Sequence, residues 1–198
     1  MLLTFVCIGF GVASYRTSAN AIEKRVNESL PQIAEDAGKL INARLGIYFV
    51  GIDTAVNRLV IRSMDWSKQL PALKEEMARQ GFMEMGVATP DGKTRYTDGT
   101  TAELGDRDYF KSALAGKVVM SDVVISRVTG KPVIMMAAPI TVDAHVVGVL
   151  LARLDGQLLS EISDNVKFGD IGYSYIINAK GVLIAHRKRE FVNESRNF

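Results

Sequence analysis

The chain has 198 residues, 47% hydrophobic and 23% charged, with a formal net charge of +2. That length supports one sizeable core, or one core and the start of another. Scattered basic residues and a small net charge exclude a nucleic-acid footprint, and the lone Cys7 excludes an internal disulfide or a paired-cysteine zinc site. The two histidines, His145 and His186, lie far apart, so neither a metal site nor a cofactor is expected. The run Arg187-Lys188-Arg189 reads as a solvated loop.

Residues 1–13 are apolar, with Leu2, Leu3, Phe5, Val6, Ile8, Phe10 and Val12 and no charge before Arg16. A spanning helix needs ~20 apolar residues, so this run is too short to span alone. The expected reading of 1–15 is the outer part of a transmembrane helix, with Tyr15 at the interface. A signal peptide cut near Ala19-Asn20-Ala21 is the alternative, against which no basic segment precedes the apolar run. A buried core helix is the third reading.

From Ala19 to about Arg62, apolar residues recur every three or four positions: Ile22, Val26, Leu30, Ile33, Ala37, Leu40 and Ile47. The pattern predicts one long helix over 16–62, up to ~60 Å at 1.5 Å per residue. Pro31 lacks an amide donor and predicts a kink or restart there. Helical spacing continues over 63–80, with a break expected at Pro71. After Gly81 the pattern shifts to strands at 82–89 and 94–96, joined by the turn Pro90-Asp91-Gly92. A short helix at 106–114 should stop at Gly116. Strands follow at 118–126, 132–140 and 146–154, the last two joined by a turn at Asp143-Ala144. A short helix at 158–162 precedes a hairpin formed by 172–177 and 182–185. This order predicts an α+β fold: a long N-terminal helix, then a PAS-like antiparallel sheet with helices against it. The last hairpin echoes residues 82–96 and predicts the start of a second PAS-like unit over 166–198.

Catalytic signatures are lacking. No Gly-x-Ser-x-Gly elbow, His-Glu-x-x-His or phosphate loop occurs. Asp106 and Asp108 have no nearby base, and an enzyme is not expected.

Six stretches carry a family resemblance when taken in order: Asp106-Arg107-Asp108-Tyr109-Phe110, Ser121-Asp122, Thr129-Gly130-Lys131-Pro132, Ala138-Pro139-Ile140, Val147-Gly148-Val149-Leu150 and Gly172-Tyr173-Ser174-Tyr175-Ile176-Ile177. Over about 20–198 the chain resembles a double Cache (dCache) sensor domain of chemoreceptors and membrane-bound signalling enzymes. The resemblance implies an extracytoplasmic small-molecule sensor anchored in the cell membrane. The long helix would be its homodimerisation spine, residues 63–165 its membrane-distal ligand module, and 166–198 part of a membrane-proximal one. A chemoreceptor is the first expectation for the whole protein; a diguanylate cyclase or histidine kinase is the alternative.

The resemblance also implies a site. Arg107 matches an arginine that grips a ligand carboxylate, Tyr109 and Phe110 replace a Trp-Tyr pair, and Asp155 matches an aspartate that holds an ammonium. Tyr96, Asp122 and Ser126 complete the expected ligand-binding set. Val124 and Ser126 stand near places where a tyrosine and an aspartate occur in the amino-acid-binding subset, and Ala102 near another tyrosine. Common L-amino acids are therefore expected to bind weakly or not at all. From the residues alone, Arg107 could instead pair with Asp106, Asp108 or Asp122, and Asp155 could cap the helix starting near Gln157.

Overall fold

The computed structural model describes residues 2–166 and 172–193. Met1, and the parts of the expected second module at 167–171 and 194–198, lie outside the described residues. Helix α1 (Leu2–Val56) is shared between two compact units, Met1–Asn42 and Ala43–Phe198.

The first unit is helix alone. Ion pairs between residues a turn apart join Lys24 to Glu28 at 3.9 Å and Lys39 to Glu35 at 2.8 Å. Such exposed pairs add little to a helix, because water screens them. Its apolar residues Phe10, Tyr15, Ile22, Leu30 and Leu40 are exposed. Among the described residues no helix is long and apolar enough to cross a membrane. The helix continues through Pro31 rather than restarting there. The segment is exposed, so water can take up the carbonyl that loses its partner.

The second unit begins with the C-terminal part of α1, where Ile52, Ala55 and Val56 are buried. The helix breaks after Val56. Arg58 adopts an extended conformation and reaches Glu76 at 2.7 Å and Glu75 at 3.2 Å. Helices α2 (Leu59–Arg62) and α3 (Trp66–Gln80) follow. Asp65 caps α3, accepting from the Ser67 amide at 3.0 Å. Pro71 falls in the second turn of α3 and does not end it. Buried positions Gln69, Ala72, Leu73 and Glu76 recur at helical spacing, and Gln69 Nε2 donates to the Ile61 carbonyl at 2.7 Å.

The sheet comprises β1 (Glu84–Ala88), β2 (Lys93–Tyr96), β3 (Thr101–Glu103), β4 (Val119–Ile125), β5 (Pro132–Val142) and β6 (His145–Asp155). Its order is β3-β2-β1-β6-β5-β4, antiparallel throughout. The α+β, PAS-like architecture expected from the sequence is therefore the one observed. The β1–β2 turn needs Gly92, which has φ 93° and leaves no space for a side chain against the Gly105 backbone. Asp143 and Ala144, both at positive φ, close the β5–β6 hairpin. Strand β3 escaped the sequence reading: three residues carry no alternation, and only pairing with β2 makes them a strand.

The two faces bury different elements. Tyr96, Met135, Ala137, Val149 and Leu151 pack with Tyr109, Phe110 and Ala113 of helix α4 (Asp108–Leu114). On the other face Met85, Ile134, Met136, Leu150 and Ala152 are buried, with α2 against β5 and α3 against β1. Beyond β6 come α5 (Leu158–Asp164), the two-stranded pair β7 (Ile176–Ile177) with β8 (Leu183–Ala185), and α6 (Arg189–Asn193).

Candidate functional site

The site is built where α4 meets β4. Arg107 precedes α4 in an extended conformation, so its side chain leaves the helix axis toward β4. Its Nη2 donates to the Ile125 carbonyl at 3.2 Å, and its Nε is buried with no hydrogen-bond partner among the described residues. A buried, unsatisfied guanidinium donor is costly unless something arrives to accept its bond.

Its three neighbouring carboxylates form no ion pair with it. Asp106 is clasped instead by Arg127, at 2.7 and 2.5 Å. That fork-to-carboxylate bond holds the Asp106 carboxyl below its usual range. Asp122 accepts from Asn178 Nδ2 at 3.0 Å, across from the β7–β8 hairpin. Asp108 stands in the first turn of α4, where a negative charge faces the positive end of the helix.

A cavity of about 530 Å³ opens between these elements. Arg107, Tyr109, Ser112, Val119, Ser121 and Asp122 line it, with Val124 and Lys180. A register shift in β4 between Met120 and Val123 turns Ser121 and Asp122 toward it. Ser121 Oγ accepts from the Met135 amide at 3.0 Å, which anchors that bulge to β5. Tyr109 is buried on the cavity wall. Desolvation, with the neighbouring Tyr96 hydroxyl, pushes its own hydroxyl up to about 12.

Of the seven residues read from the sequence, Arg107, Tyr109 and Asp122 meet at this cavity. Phe110 and Tyr96 lie in the buried cluster beneath α4. Ser126 sits at the β4–β5 turn, its Oγ accepting from the amides of Val128 and Thr129 at 3.3 and 3.2 Å. Asp155 is exposed and accepts from the Gln157 amide at 2.8 Å, the turn into α5; it is not among the residues lining this cavity.

One buried charge was missed. Arg153, only 4% exposed, lies on the α4 face of β6, its guanidinium 4.8 Å from the Tyr96 ring centroid and hydrogen-bonded with the Tyr96 side chain, while Nε and Nη2 have no partner among the described residues. Its signal was present in the sequence: a single charge inside the apolar run 146–154. Gly86 makes this arrangement feasible, because a Cβ there would fall 2.7 Å from the Tyr96 ring.

A second cavity, about 710 Å³, lies by the β2–β3 edge, lined by Met64, Trp66, Gln69, Val87, Lys93 and Arg95 among others. Its cations are already engaged. Lys93 pairs with Asp91 at 2.9 Å, and Arg95 stacks 5.4 Å over Trp66. The α4–β4 cavity, with an unsatisfied arginine, is the better binding candidate.

The family model of the Cache domain, dCache_1, matches residues 18–198. The chain belongs to the Cache domain family. Its fold is that of several chemoreceptor ligand-binding and sensory domains. The ligand-binding domain of the Pseudomonas fluorescens chemoreceptor CtaA, in complex with L-serine, superposes with a TM-score of 0.77 at 18% identity, covering 87% of this chain and 77% of that one. The sensory domain of the Campylobacter jejuni chemoreceptor Tlp3, with isoleucine bound, gives 0.72 at 12% identity, covering 90% and 78%. The ligand-binding domain of the Pseudomonas aeruginosa amino acid chemoreceptor PctB, in complex with L-Arg, gives 0.73 at 17%, covering 85% and 74%. In sequence, the Cache domain is 25% identical over 92 residues to the methyl-accepting chemotaxis protein PscA of Pseudomonas syringae pv. tomato. That match covers 46% of this chain and 15% of PscA.

Proposed function

We propose that this Cache domain is the extracytoplasmic small-molecule sensor of a transmembrane chemoreceptor, binding a carboxylate-bearing ligand in the α4–β4 cavity. The observation that carries the reading is the Arg107 Nε, buried without an acceptor among the described residues and beside the apolar wall of Tyr109. Arginine's planar fork suits a carboxylate, and charge-assisted bonds are the strong ones. Similarity to a methyl-accepting chemotaxis protein favours a chemoreceptor over a diguanylate cyclase or histidine kinase. The protein signals occupancy and transforms nothing.

Residues 1–15 serve as part of a membrane anchor. Residues 16–62 carry the homodimer contact, residues 63–165 hold the ligand, and residues 166–198 begin a membrane-proximal module. The exposed apolar residues Ile22, Leu30 and Leu40, with ion pairs elsewhere on the helix, support a partner copy along α1.

A thermal-shift screen of small mono- and dicarboxylates, amino acids and purines on the purified chain tests the ligand class. Carboxylates should raise Tm in wild type and not in Arg107→Ala. Stabilisation by purines or amines, undiminished in Arg107→Ala, would remove the carboxylate reading.

A further inference from the structure

Part of the ligand cavity comes from beyond residues 63–165. Lys180, at the tip of the β7–β8 hairpin, lines it together with Arg107 and Asp122. That tip is a closed turn. The Asn178 amide donates to the Val182 carbonyl at 2.9 Å and the Gly181 amide to the Asn178 carbonyl at 3.0 Å, with Gly181 at φ 78°. Asn178 Oδ1 accepts in addition from the amides of Lys180 and Val182, at 2.9 and 3.0 Å. The backbone beneath Lys180 is thereby fixed.

The other end of the same Asn178 side chain joins the hairpin to the cavity. Its Nδ2 donates to Asp122 Oδ2 at 3.0 Å, between residues 56 apart in sequence. Asp122 stands in the shifted register of β4, next to Ser121, which accepts from the Met135 amide of β5. One side chain therefore shapes the turn that carries Lys180 and ties that turn to the cavity wall. The base of the hairpin rests on α5, where Ser160 Oγ accepts from the His186 amide at 3.2 Å.

Lys180 also lacks a counter-charge. It is exposed and forms no ion pair among the described residues. Of the carboxylates lining the cavity, Asp106 is clasped by Arg127, Asp122 is bonded by Asn178, and Asp108 sits at the positive end of α4. A compact charge on a flexible stem can follow an anion that an arginine already holds.

We propose that the cavity is a composite site: Lys180, carried by the β7–β8 hairpin, makes a charge contact with the bound carboxylate ligand, and the Asn178–Asp122 bond couples occupancy to the segment 172–193. This rests on the assignment of Arg107 as the carboxylate anchor. Coupling of this kind is reciprocal: if the ligand tightens the hairpin joint, breaking the joint weakens the ligand by the same factor.

The probes are acetate, propionate, lactate, succinate and malate, and the acid that raises the Tm of the purified wild-type chain most is titrated by calorimetry. Lys180→Met, which keeps the apolar stem, should weaken it about 5- to 10-fold at low ionic strength, the lower range for a charge contact open to water. The loss should shrink near 1 M salt, where the Debye length is about 3 Å. Lys180→Arg should keep most of the affinity, and the empty Lys180→Met chain should melt with wild type. Asn178→Asp keeps the oxygen that holds the turn but sets a carboxylate against Asp122; it should weaken binding roughly 3-fold or more. In an Asp122→Asn background, where donor and acceptor are exchanged, the same change should cost little. Saturating acid should slow amide exchange over 178–185 in wild type and not in Lys180→Met. Equal affinity of wild type and Lys180→Met overturns the composite site and leaves Arg107 standing. An Asn178→Asp cost equal in both backgrounds, or hairpin exchange unmoved by the acid, overturns the coupling. Binding of none of these acids overturns the Arg107 site, and this inference with it.

Discussion

Replacing Arg107 by alanine separates binding from folding. In the empty protein the side chain makes one hydrogen bond, Nη2 to the Ile125 carbonyl at 3.2 Å, and no ion pair among the described residues. Losing such a bond costs about 1 kcal/mol, and removing the unsatisfied Nε returns part of that. At roughly 2–4 °C per kcal/mol for a chain of this size, Tm should move by only a few degrees. Binding should suffer far more. Truncating one partner of a desolvated charge pair costs about 2–5 kcal/mol. At ~1.4 kcal/mol per decade that is roughly 30- to 4,000-fold in Kd. Lysine keeps the charge and loses the two-pronged geometry, so Arg107→Lys should fall between alanine and wild type. Calorimetric titration with the tightest carboxylate from the thermal screen measures all three. Equal affinity in wild type and Arg107→Ala, with both chains folded, would refute the site.

The remaining expectations concern pH, stability and assembly. Glu76 is fully buried between Arg79 at 2.5 Å and Arg58 at 2.7 Å; burial pushes its carboxyl up, but the two arginines outweigh this and hold it below the ordinary 4.5. A folded value below the unfolded one means stability present above pH 4.5 and lost as pH falls through the folded value. Glu76→Gln should therefore lower Tm near neutrality by an amount equivalent to about 1–3 kcal/mol and flatten the acid limb of a Tm–pH curve; an unchanged limb would contradict it. The Tyr109 hydroxyl, raised to about 12, stays neutral in the fold after an unfolded tyrosine ionises near 10, so its contribution is lost as pH rises from 10 to 12. Tyr109→Phe should delete one high-pH step from the tyrosinate absorbance titration, whereas loss of a step near 10 would place that hydroxyl in water. Cysteines at Ile33, Leu40 or Ile47, in a Cys7→Ser background of the intact protein in membranes, should cross-link into dimers; failure at all three positions would confine α1 to its own chain.

Local rules accounted for most of the elements. Alternation and turn chemistry placed β1, β2, β4, β5 and β6 within a few residues, because a strand with a buried face and a two-residue turn each leave a short-range pattern. The long helix was equally legible, but its end was not. Pro31 looked like the break, and the break came at Arg58, whose partner Glu76 is 18 residues away. Family motifs drew attention to Arg107. What only the tertiary structure decided was partnership. Asp106 stands beside Arg107 in the chain yet bonds Arg127, 21 residues on, because α4 and the β4–β5 hairpin bring those two together. That exchange leaves Arg107 without a carboxylate partner among the described residues at the cavity. Arg153 read as one charge in an apolar strand until the sheet set it over Tyr96 and tied Glu84 to Thr97. Periodicity is written along a chain, but satisfaction of a buried charge depends on which strands and helices meet, and those contacts are made across the sequence.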